Sequence, residues 1–372
     1  MKRFILFFLA VSLSLPLLAQ RNRIDIPDLQ GYVTLQCDFH LHTVFSDGTV
    51  WPAVRVDEAR NEGLDAISIT DHLESRRQLS EIERMSGLSL KTISHDIAYD
   101  IARPRADQSG LILIRGTEIT RSMPPGHFNA IFISNADEIE KPDYMDAFRV
   151  AKAQGAFIFF NHPGFPIPPQ QSDTAMWWPV HTQLLKQGMI HGIEVVNDQN
   201  YSLEAHRWCL ENNLTMMGTT DSHGPRPPFG HGVHRTMNFI FAKERSAEAI
   251  REALFERRTA VYWSENVIGE EKYLMELFKN ALDWDMRKNG NAVTVTVRNK
   301  SDLTFRLKKT SQGPGILHYR DDSIARFIIP PKGSFRFIVR LLDDKQNCDL
   351  NFVVDNFLVQ PNEGMNFTLN VK

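Results

Sequence analysis

Between Gly31 and about Trp263 the chain repeats one pattern: a short apolar run ends at residues able to ligate or titrate, and an amphipathic stretch follows. Val33-Thr34-Leu35-Gln36-Cys37 leads into Asp38-Phe39-His40, and Ala66-Ile67-Ser68-Ile69 into Thr70-Asp71-His72. Leu111-Ile112-Leu113-Ile114 precedes Arg115-Gly116-Thr117-Glu118, and Phe157-Ile158-Phe159-Phe160 precedes Asn161-His162. Gly192-Ile193-Glu194-Val195-Val196 and Met216-Met217-Gly218-Thr219 continue the series. Trp51 to Glu62 has helical spacing, with Pro52 suited to a first turn and Gly63 just past the end. Short apolar runs alternating with helices indicate an α/β fold of parallel strands joined by right-handed crossovers. In barrels of that kind reactive groups gather at the carboxyl ends of the strands, which is where these His, Asp and Glu residues fall.

The pattern changes after Tyr262. Gly269 to Asp285 reads as one helix, with Tyr273, Met275, Leu277, Leu282 and Trp284 among its apolar positions. Beyond Asn289-Gly290-Asn291 the period becomes two, in Ala292–Val297, Phe305–Leu307, Ser334–Val339 and Asn366–Val371, with turn residues between. A small antiparallel sandwich of Ig-like size is expected there. The expected organisation is therefore a catalytic unit over 20–264, a linker helix over 265–290 and the sandwich over 291–372.

Residues 1–19 read as a signal peptide. Lys2 and Arg3 precede the apolar run Phe4 to Leu18, and Leu17-Leu18-Ala19 offers a small-residue cleavage site before Gln20. The run is short for a spanning helix, so a periplasmic or extracellular protein with no membrane span is expected. The formal net charge is −3, and −5 once Lys2 and Arg3 are removed. No stable nucleic-acid complex is expected from that balance, because such binding calls for a basic face. Cys37, Cys209 and Cys348 are too few and scattered for a disulfide framework.

His40-Leu41-His42 sets two imidazoles on one side of an extended segment, where both can face one ion. Alone the pair is a weak signal. The argument lies in accumulation: Asp47 follows in Ser46-Asp47-Gly48, Asp71 with His72, Glu118, His162 and Asp221 with His223 stand at run ends, and His127 leads into Ala130-Ile131-Phe132-Ile133. Gathered at one mouth without compensation, these groups would cost several kcal/mol in burial and repulsion. Divalent cations remove the conflict, since ligation wants imidazoles neutral and carboxylates ionised.

Asp-x-His-x-His, Ser-Asp-Gly, Thr-Asp-His, Gly-x-Glu, a lone His, Asn-His-Pro-Gly and Asp-Ser-His, in this order, resemble the polymerase and histidinol phosphatase (PHP) superfamily over about Gly31 to Trp263. The resemblance implies a distorted seven-stranded α/β barrel that hydrolyses phosphate esters with two or three divalent ions, such as Mn2+, Zn2+ or Fe2+. Carried over by position, one ion takes His40, His42, Glu118 and Asp221. A second shares Glu118 and adds His127 and His162, and a third takes Asp47, His72 and His223. Some members have a His where Asp47 stands; a carboxylate is harder and shifts preference from zinc towards manganese or iron. Asp38 and Asp71 are expected to orient neighbouring imidazoles.

The expected substrate is a small phosphate mono- or diester, attacked by metal-activated water, with no Ser or Cys nucleophile required. Glu118 and Asp221 stand at the centre of that chemistry. Arg115, Arg121 and Arg226 are candidates to clamp the phosphate, and His231 or His234 to approach it or protonate the leaving group. Glu194 is a candidate supporting or substrate-contacting residue. Trp177-Trp178 either roofs the pocket or, more simply, packs a loop on the barrel edge. Two rivals make different demands. An amidohydrolase-like enzyme acting on C–N or C–O bonds commonly needs a metal-bridging carbamylated lysine, and Lys152 and Lys186 sit in helical contexts. A non-enzymatic scaffold predicts missing ligands, and none of the nine is missing.

Overall fold

The structure, a computed structural model, describes residues 21–86, 93–164, 175–226, 234–310, 315–319, 322–341 and 347–371. The signal segment, Pro166–Pro169 and His231 lie outside the described residues. The first unit runs β1 (Val33–Asp38), α1 (Pro52–Asn61), β2 (Ala66–Ile69), α2 (Arg77–Ser86), α3 (Ile97–Ser109), β3 (Ile112–Thr120) and β4 (His127–Ile131). It continues through α4 (Tyr144–Ala153), β5 (Phe157–Phe160), α5 (Pro179–Lys186), β6 (Gly192–Asn197), β7 (Asn200–Tyr201), α6 (Leu203–Asn212) and β8 (Thr215–Thr219). β9 (Met237–Ala242), α7 (Ala247–Phe255), β10 (Thr259–Trp263), β11 (Asn266–Gly269) and α8 (Glu271–Ala281) complete it.

Local chemistry sets several boundaries. Pro52 opens α1, where its missing N–H costs nothing. Ser202 and Ser246 cap α6 and α7 by accepting from Ala205 and Ala249 N–H. Gly110 ends α3 in the left-handed conformation.

The strands make one curved, mixed sheet, so the all-parallel expectation holds only in part. β1, β2 and β3 are parallel neighbours, as are β5, β6 and β8. β4 runs antiparallel between β3 and β5, β9 runs antiparallel beside β1, and β10 pairs antiparallel with the far edge of β9. The connection Arg121–Gly126 explains β4: it is too short for the dozen or so residues that a parallel crossover needs. Leu35, Cys37, Phe39, Phe157, Phe159, Met217 and Ile240 form one apolar layer with Ala249, Ile250, Ala253 and Leu254 of α7, and residues of α4, α5 and α6 pack into a second.

The expected closed seven-stranded barrel does not appear as a closed ladder. Among the described residues no backbone pairing joins β8 to β9 or β10. Side chains span that seam instead. The Asn238 amide on β9 accepts from Gly218 N at 2.9 Å and donates to Gly218 O at 2.7 Å, and Thr259 Oγ1 donates to Met216 O at 3.2 Å. Gly218 is required for this approach, since a Cβ there would lie 2.2 Å from Val261 Cγ1.

The segment expected as a linker helix divides differently. The helix is only Glu271–Ala281; Asn266–Gly269 is strand β11, and Leu282–Asn289 is strand β12. Leu282, Trp284 and Met286 alternate with exposed Asp283, Asp285 and Arg287, so period two prevails over the helical reading. The sandwich adds β13 (Ala292–Asn299), β14 (Phe305–Lys309), β15 (Gly315–Tyr319), β16 (Asp322–Ser323), β17 (Arg326–Ile329), β18 (Ser334–Leu341), β19 (Cys348–Gln360) and β20 (Glu363–Val371). Its strands β12, β13, β18, β15 and β16 form one sheet. The other sheet is continuous with the first unit, because β19 pairs parallel with β11. Phe278 of α8 packs on Phe305 and Phe367, so apolar contact also crosses between the units. Cys37, Cys209 and Cys348 are free buried thiols. Among the described residues no helix is long and apolar enough to cross a membrane.

Two stability predictions arise here. Gly218→Ala should destabilise by about 1–3 kcal/mol through overpacking, and by less in a Val261→Ala background; equal costs in both backgrounds would refute the contact. His191 accepts a hydrogen bond at Nδ1 from Ile158 N–H at 2.9 Å, and burial pushes its pKa down to about 4. The unfolded chain, with a His pKa near ~6.5, takes up that proton first, so stability falls as pH drops from about 6.5 to about 4. His191→Asn keeps an acceptor and removes the titration. In urea melts it should lose roughly 2 kcal/mol less than the parent between neutral pH and pH ~4.

Candidate metal centre

All nine expected ligands come to one end of the curved sheet. His40 and His42 follow β1, Asp47 lies in the next loop, and His72 follows β2. Glu118 is in β3, His162 follows β5, and Asp221 and His223 follow β8. His127 is the first residue of β4. Because β4 runs antiparallel, its beginning lies at the same edge where the parallel strands end.

Four donor atoms form the tightest group. His40 Nε2 and His42 Nε2 are 3.1 Å apart. Glu118 Oε2 lies 3.4 and 3.3 Å from them, and Asp221 Oδ1 3.2 and 3.0 Å. Ligands held at about 2.0–2.2 Å around one centre must stand roughly 3.0–3.5 Å from one another, which is the spacing found. The His40 ring nitrogen Nδ1 faces Glu194 Oε1 at 2.7 Å and donates its proton there, leaving Nε2 as a lone pair when the ring is neutral. Two imidazole nitrogens and two carboxylate oxygens facing one another are a donor set suited to a divalent cation.

Glu118 links this group to its neighbours. Its Oε1 is 2.8 Å from His127 Nδ1 and 3.9 Å from His162 Nε2, while His72 Nδ1 lies 2.9 Å from Oε2. A second group able to hold an ion is His40, Glu118 and His162, and a third is His42, Asp47, His72 and His223. Asp47 Oδ1 stands 3.3 Å from His72 Nε2 and 3.1 Å from His223 Nε2. The expectation placed His42 in the first set only; here its two nitrogens face both. A neutral imidazole offers one lone pair, so it can serve one of the two.

The supporting contacts differ from expectation. Asp38 and Asp71 touch no imidazole side chain. Asp71 accepts from Thr43 N and Oγ1 and from Ser46 Oγ, fixing the loop after His42. Asp38 accepts from Thr220 Oγ1 and from Arg235 Nη1 at 2.8 Å, and Arg235 also grips Glu62. The orienting role falls to buried Glu194. It receives His40 Nδ1–H, the His162 N–H at 2.7 Å, Asn197 Nδ2 and Thr219 Oγ1. His162 and Asp221 have φ of 25° and 50°, a region that residues other than glycine enter only when their surroundings hold them there.

The charges are strongly coupled. Burial would push the Glu118 carboxyl up, but His72 and the bonds from His127 and His40 hold it well below the usual carboxylate range. Burial opposes a charged His40, and the Asp221 and Glu194 carboxylates overcome it and raise its pKa well above the ordinary value. His72 is likewise lifted to about 10 against burial, by Glu118 and Asp47. Burial dominates at His42 and His162, whose pKa values fall. Without ions these carboxylates therefore hold protons on imidazoles, and ion binding must release them.

A cavity of about 480 Å³ opens beside His127 and His162, lined also by Thr120, Arg121, Ser122, Met123 and Gly126. Arg121 pairs with Glu74 at 2.8 Å there. Arg226 donates from Nη1 to Ser222 Oγ at 3.2 Å, beside Asp221. Arg115 is engaged elsewhere, with Asp96 at 2.8 Å and over the Tyr99 ring. His234 stands against Tyr262, with no ring of the cluster beside it. Trp177 packs between His181 and Trp208, and the loop that precedes it, residues 165–174, lies outside the described residues.

An α/β unit with a buried constellation of imidazoles and carboxylates, joined to a β-sandwich, makes a two-domain protein with candidate metal sites. The chain is 46% identical to a two-domain protein of Bacteroides vulgatus ATCC 8482 described as containing a predicted PHP-like metal-dependent phosphoesterase, with a TM-score of 0.86 over 95% of this chain and 99% of that one. The chain belongs to that family of two-domain PHP-like proteins. Residues 283–370 match an Ig-like domain family. A Bifidobacterium adolescentis ATCC 15703 protein described as a candidate metal-dependent phosphoesterase is 19% identical over 59% of this chain and 96% of its own, with a TM-score of 0.40. An amidohydrolase from Chromobacterium violaceum is 15% identical over 52% and 90%, with a TM-score of 0.37. At those scores neither bears on function. No curated protein matches the chain.

Glu194→Ala should weaken binding of divalent ions about 10–100-fold by freeing the His40 ring. Chelator-competition titration measures this, and an unchanged affinity would remove Glu194 from the role assigned to it.

Proposed function

We propose that the chain is an exported metal-dependent phosphoesterase hydrolysing a small phosphate mono- or diester. The observation that carries the reading is the pair His40 and His42, whose Nε2 atoms stand 3.1 Å apart and 3.0 to 3.4 Å from Glu118 Oε2 and Asp221 Oδ1. In this reading those four hold one ion, and Glu118 shares a second with His127 and His162. Asp47, His72 and His223 hold a third, with His42 committed to the first. The carboxylate at Asp47 favours manganese or iron over zinc in that position. Export is supported by the charged and apolar N-terminal segment.

Bound divalent ions supply two things to such a reaction: a water acidified towards pKa ~7 and neutralisation of the phosphoryl oxygens. The chain's own residues do the rest. Glu118, fully buried and faced by four imidazoles, keeps the donor groups in mutual register. Arg226, and Arg121 on the cavity wall, present guanidinium N–H groups to phosphate oxygens. The cavity of about 480 Å³ takes the organic part of a small ester. His231 remains a candidate proton donor to the leaving group.

The rival on C–N or C–O bonds loses support from the lysines. Lys152 Nζ donates to Gln187 O at 2.5 Å, and Lys186 is exposed on α5. The scaffold reading asks for absent ligands, and all nine converge.

The purified protein with Mn2+, Zn2+ or Fe2+ should hydrolyse p-nitrophenyl or bis-p-nitrophenyl phosphate and stop on adding EDTA. Glu118→Gln should lower kcat/KM more than about 100-fold, beyond the loss a supporting contact causes, while far-ultraviolet dichroism stays that of the parent. EDTA-resistant turnover, or an unimpaired Glu118→Gln protein, would refute the proposal.

A further inference from the structure

We propose that Arg55 is a positioning residue for the metal centre: from α1 it locks the loop carrying His42 to the loop carrying Asp221 and His223. The proposal rests on the metal reading above. Arg55 is only 1% exposed, rare for an arginine. Its donors point at backbone carbonyls of the two ligand loops, outside the ring of ligands. Nε donates to His42 O at 2.9 Å, Nη2 to Ser222 O at 2.9 Å and Nη1 to Gly224 O at 2.9 Å. Ser222 O also accepts His42 N–H at 3.0 Å, so one carbonyl ties the two loops directly and through the guanidinium.

The fork is itself held. Glu58, one turn along α1, accepts from Arg55 Nη1 at 2.7 Å and from Arg226 N at 2.8 Å. The pair therefore grips the 222–226 segment at three carbonyl or amide groups and His42 at a fourth. Gly48 closes the other side of the His42 turn, where a Cβ would lie 2.7 Å from His42 C.

The need for such a lock follows from the two loops. Asp221 has a φ of 50°, in the left-handed region that costs a residue with a Cβ some energy even where, as for aspartate, it is better tolerated. It also follows β8, which no ladder ties to β9 among the described residues. His42 Nε2 and Asp221 Oδ1 are 3.0 Å apart although their loops are distant in sequence. A planar five-donor fork can fix several carbonyls at set angles, whereas a lysine ammonium on a flexible stem cannot.

The lock touches His42 and the residues flanking Asp221 and His223, namely Ser222 and Gly224, and its bonds reach no residue next to His127 or His162. That selectivity separates positioning from general stability. The full-length protein should be titrated with Mn2+ against a competing chelator, with the thermal midpoint of the metal-free form measured alongside. In Arg55→Lys the sites built on His42, Asp221 and His223 should weaken about 10–100-fold, with the remaining Mn2+ affinity within about threefold of the parent. Where Arg55→Lys fails to fold, Glu58→Gln, which keeps an acceptor for Arg226 N–H, should show the same pattern at about three- to tenfold. Uniform weakening of every site, or a lowered thermal midpoint with all Mn2+ affinities intact, overturns the proposal. A parent protein that binds no Mn2+, Zn2+ or Fe2+ overturns the metal reading itself, and is recognised before any variant is compared.

Discussion

Glu118 cannot lie fully buried, ionised, in the middle of this molecule unless positive charge surrounds it. Every other feature of the site answers that requirement. Imidazoles of His40, His42, His72 and His127 face its two oxygens, and each imidazole needs its own acceptor or turn to keep its orientation. A carboxylate in a low-dielectric interior is costly when alone and strongly attractive to cations when surrounded. The burial that raises the cost of the charge also strengthens the hold on any ion that meets it. The loops, the cap of Glu194 and the network around Asp38 are arrangements that keep this concentration of charge from relaxing into solvent.

Much of this was legible in the residues. Most of the nine candidate positions stand where an apolar run meets a polar turn, and such positions share an edge in an α/β sheet; their division among ions comes from the motif order that resembles the PHP superfamily. The antiparallel course of β4 was not legible: His127-Phe128-Asn129-Ala130-Ile131 looks the same in either direction, and only the short Arg121–Gly126 connection decides it. Leu282 and Trp284 were misassigned because two residues spaced by two fit both a helix and a strand. Glu194 was visible as an acid within an apolar strand, but its partner, His40 Nδ1, depends on ring orientation. Arg55 looks like any arginine on a helix of mixed composition. Its burial comes from the two loops that fold over it, and neither loop announces that in its sequence.

The sandwich is joined to the first unit by more than a tether. β11 and β19 share backbone hydrogen bonds, and the Asn356 amide donates to both Glu265 O at 2.7 Å and Thr304 O at 2.8 Å. Domains of one chain usually meet through modest, polar contacts and move relative to each other. Here α8 places Phe278 among the sandwich aromatics, and the apolar core runs unbroken from α1 and α3 to β20. The order is thus carried across the boundary by both ladder and core.

The seam at Asn238 has a mechanical meaning of its own. A backbone ladder fixes a strand along its whole length, because shifting one residue misplaces every amide after it. The Asn238 carboxamide on Gly218, with the Thr259 hydroxyl on Met216, is a point clasp, a pivot on one edge of β8, whose other edge is laddered to β6. The residues just beyond that pivot are Thr219, Thr220 and Asp221, so the angle at which this acid enters the pocket is set by whatever grips the far end of the lever. A wall fully laced by peptide bonds would set that angle from both edges of β8; here one edge is set by the β6 ladder and the other by two side chains.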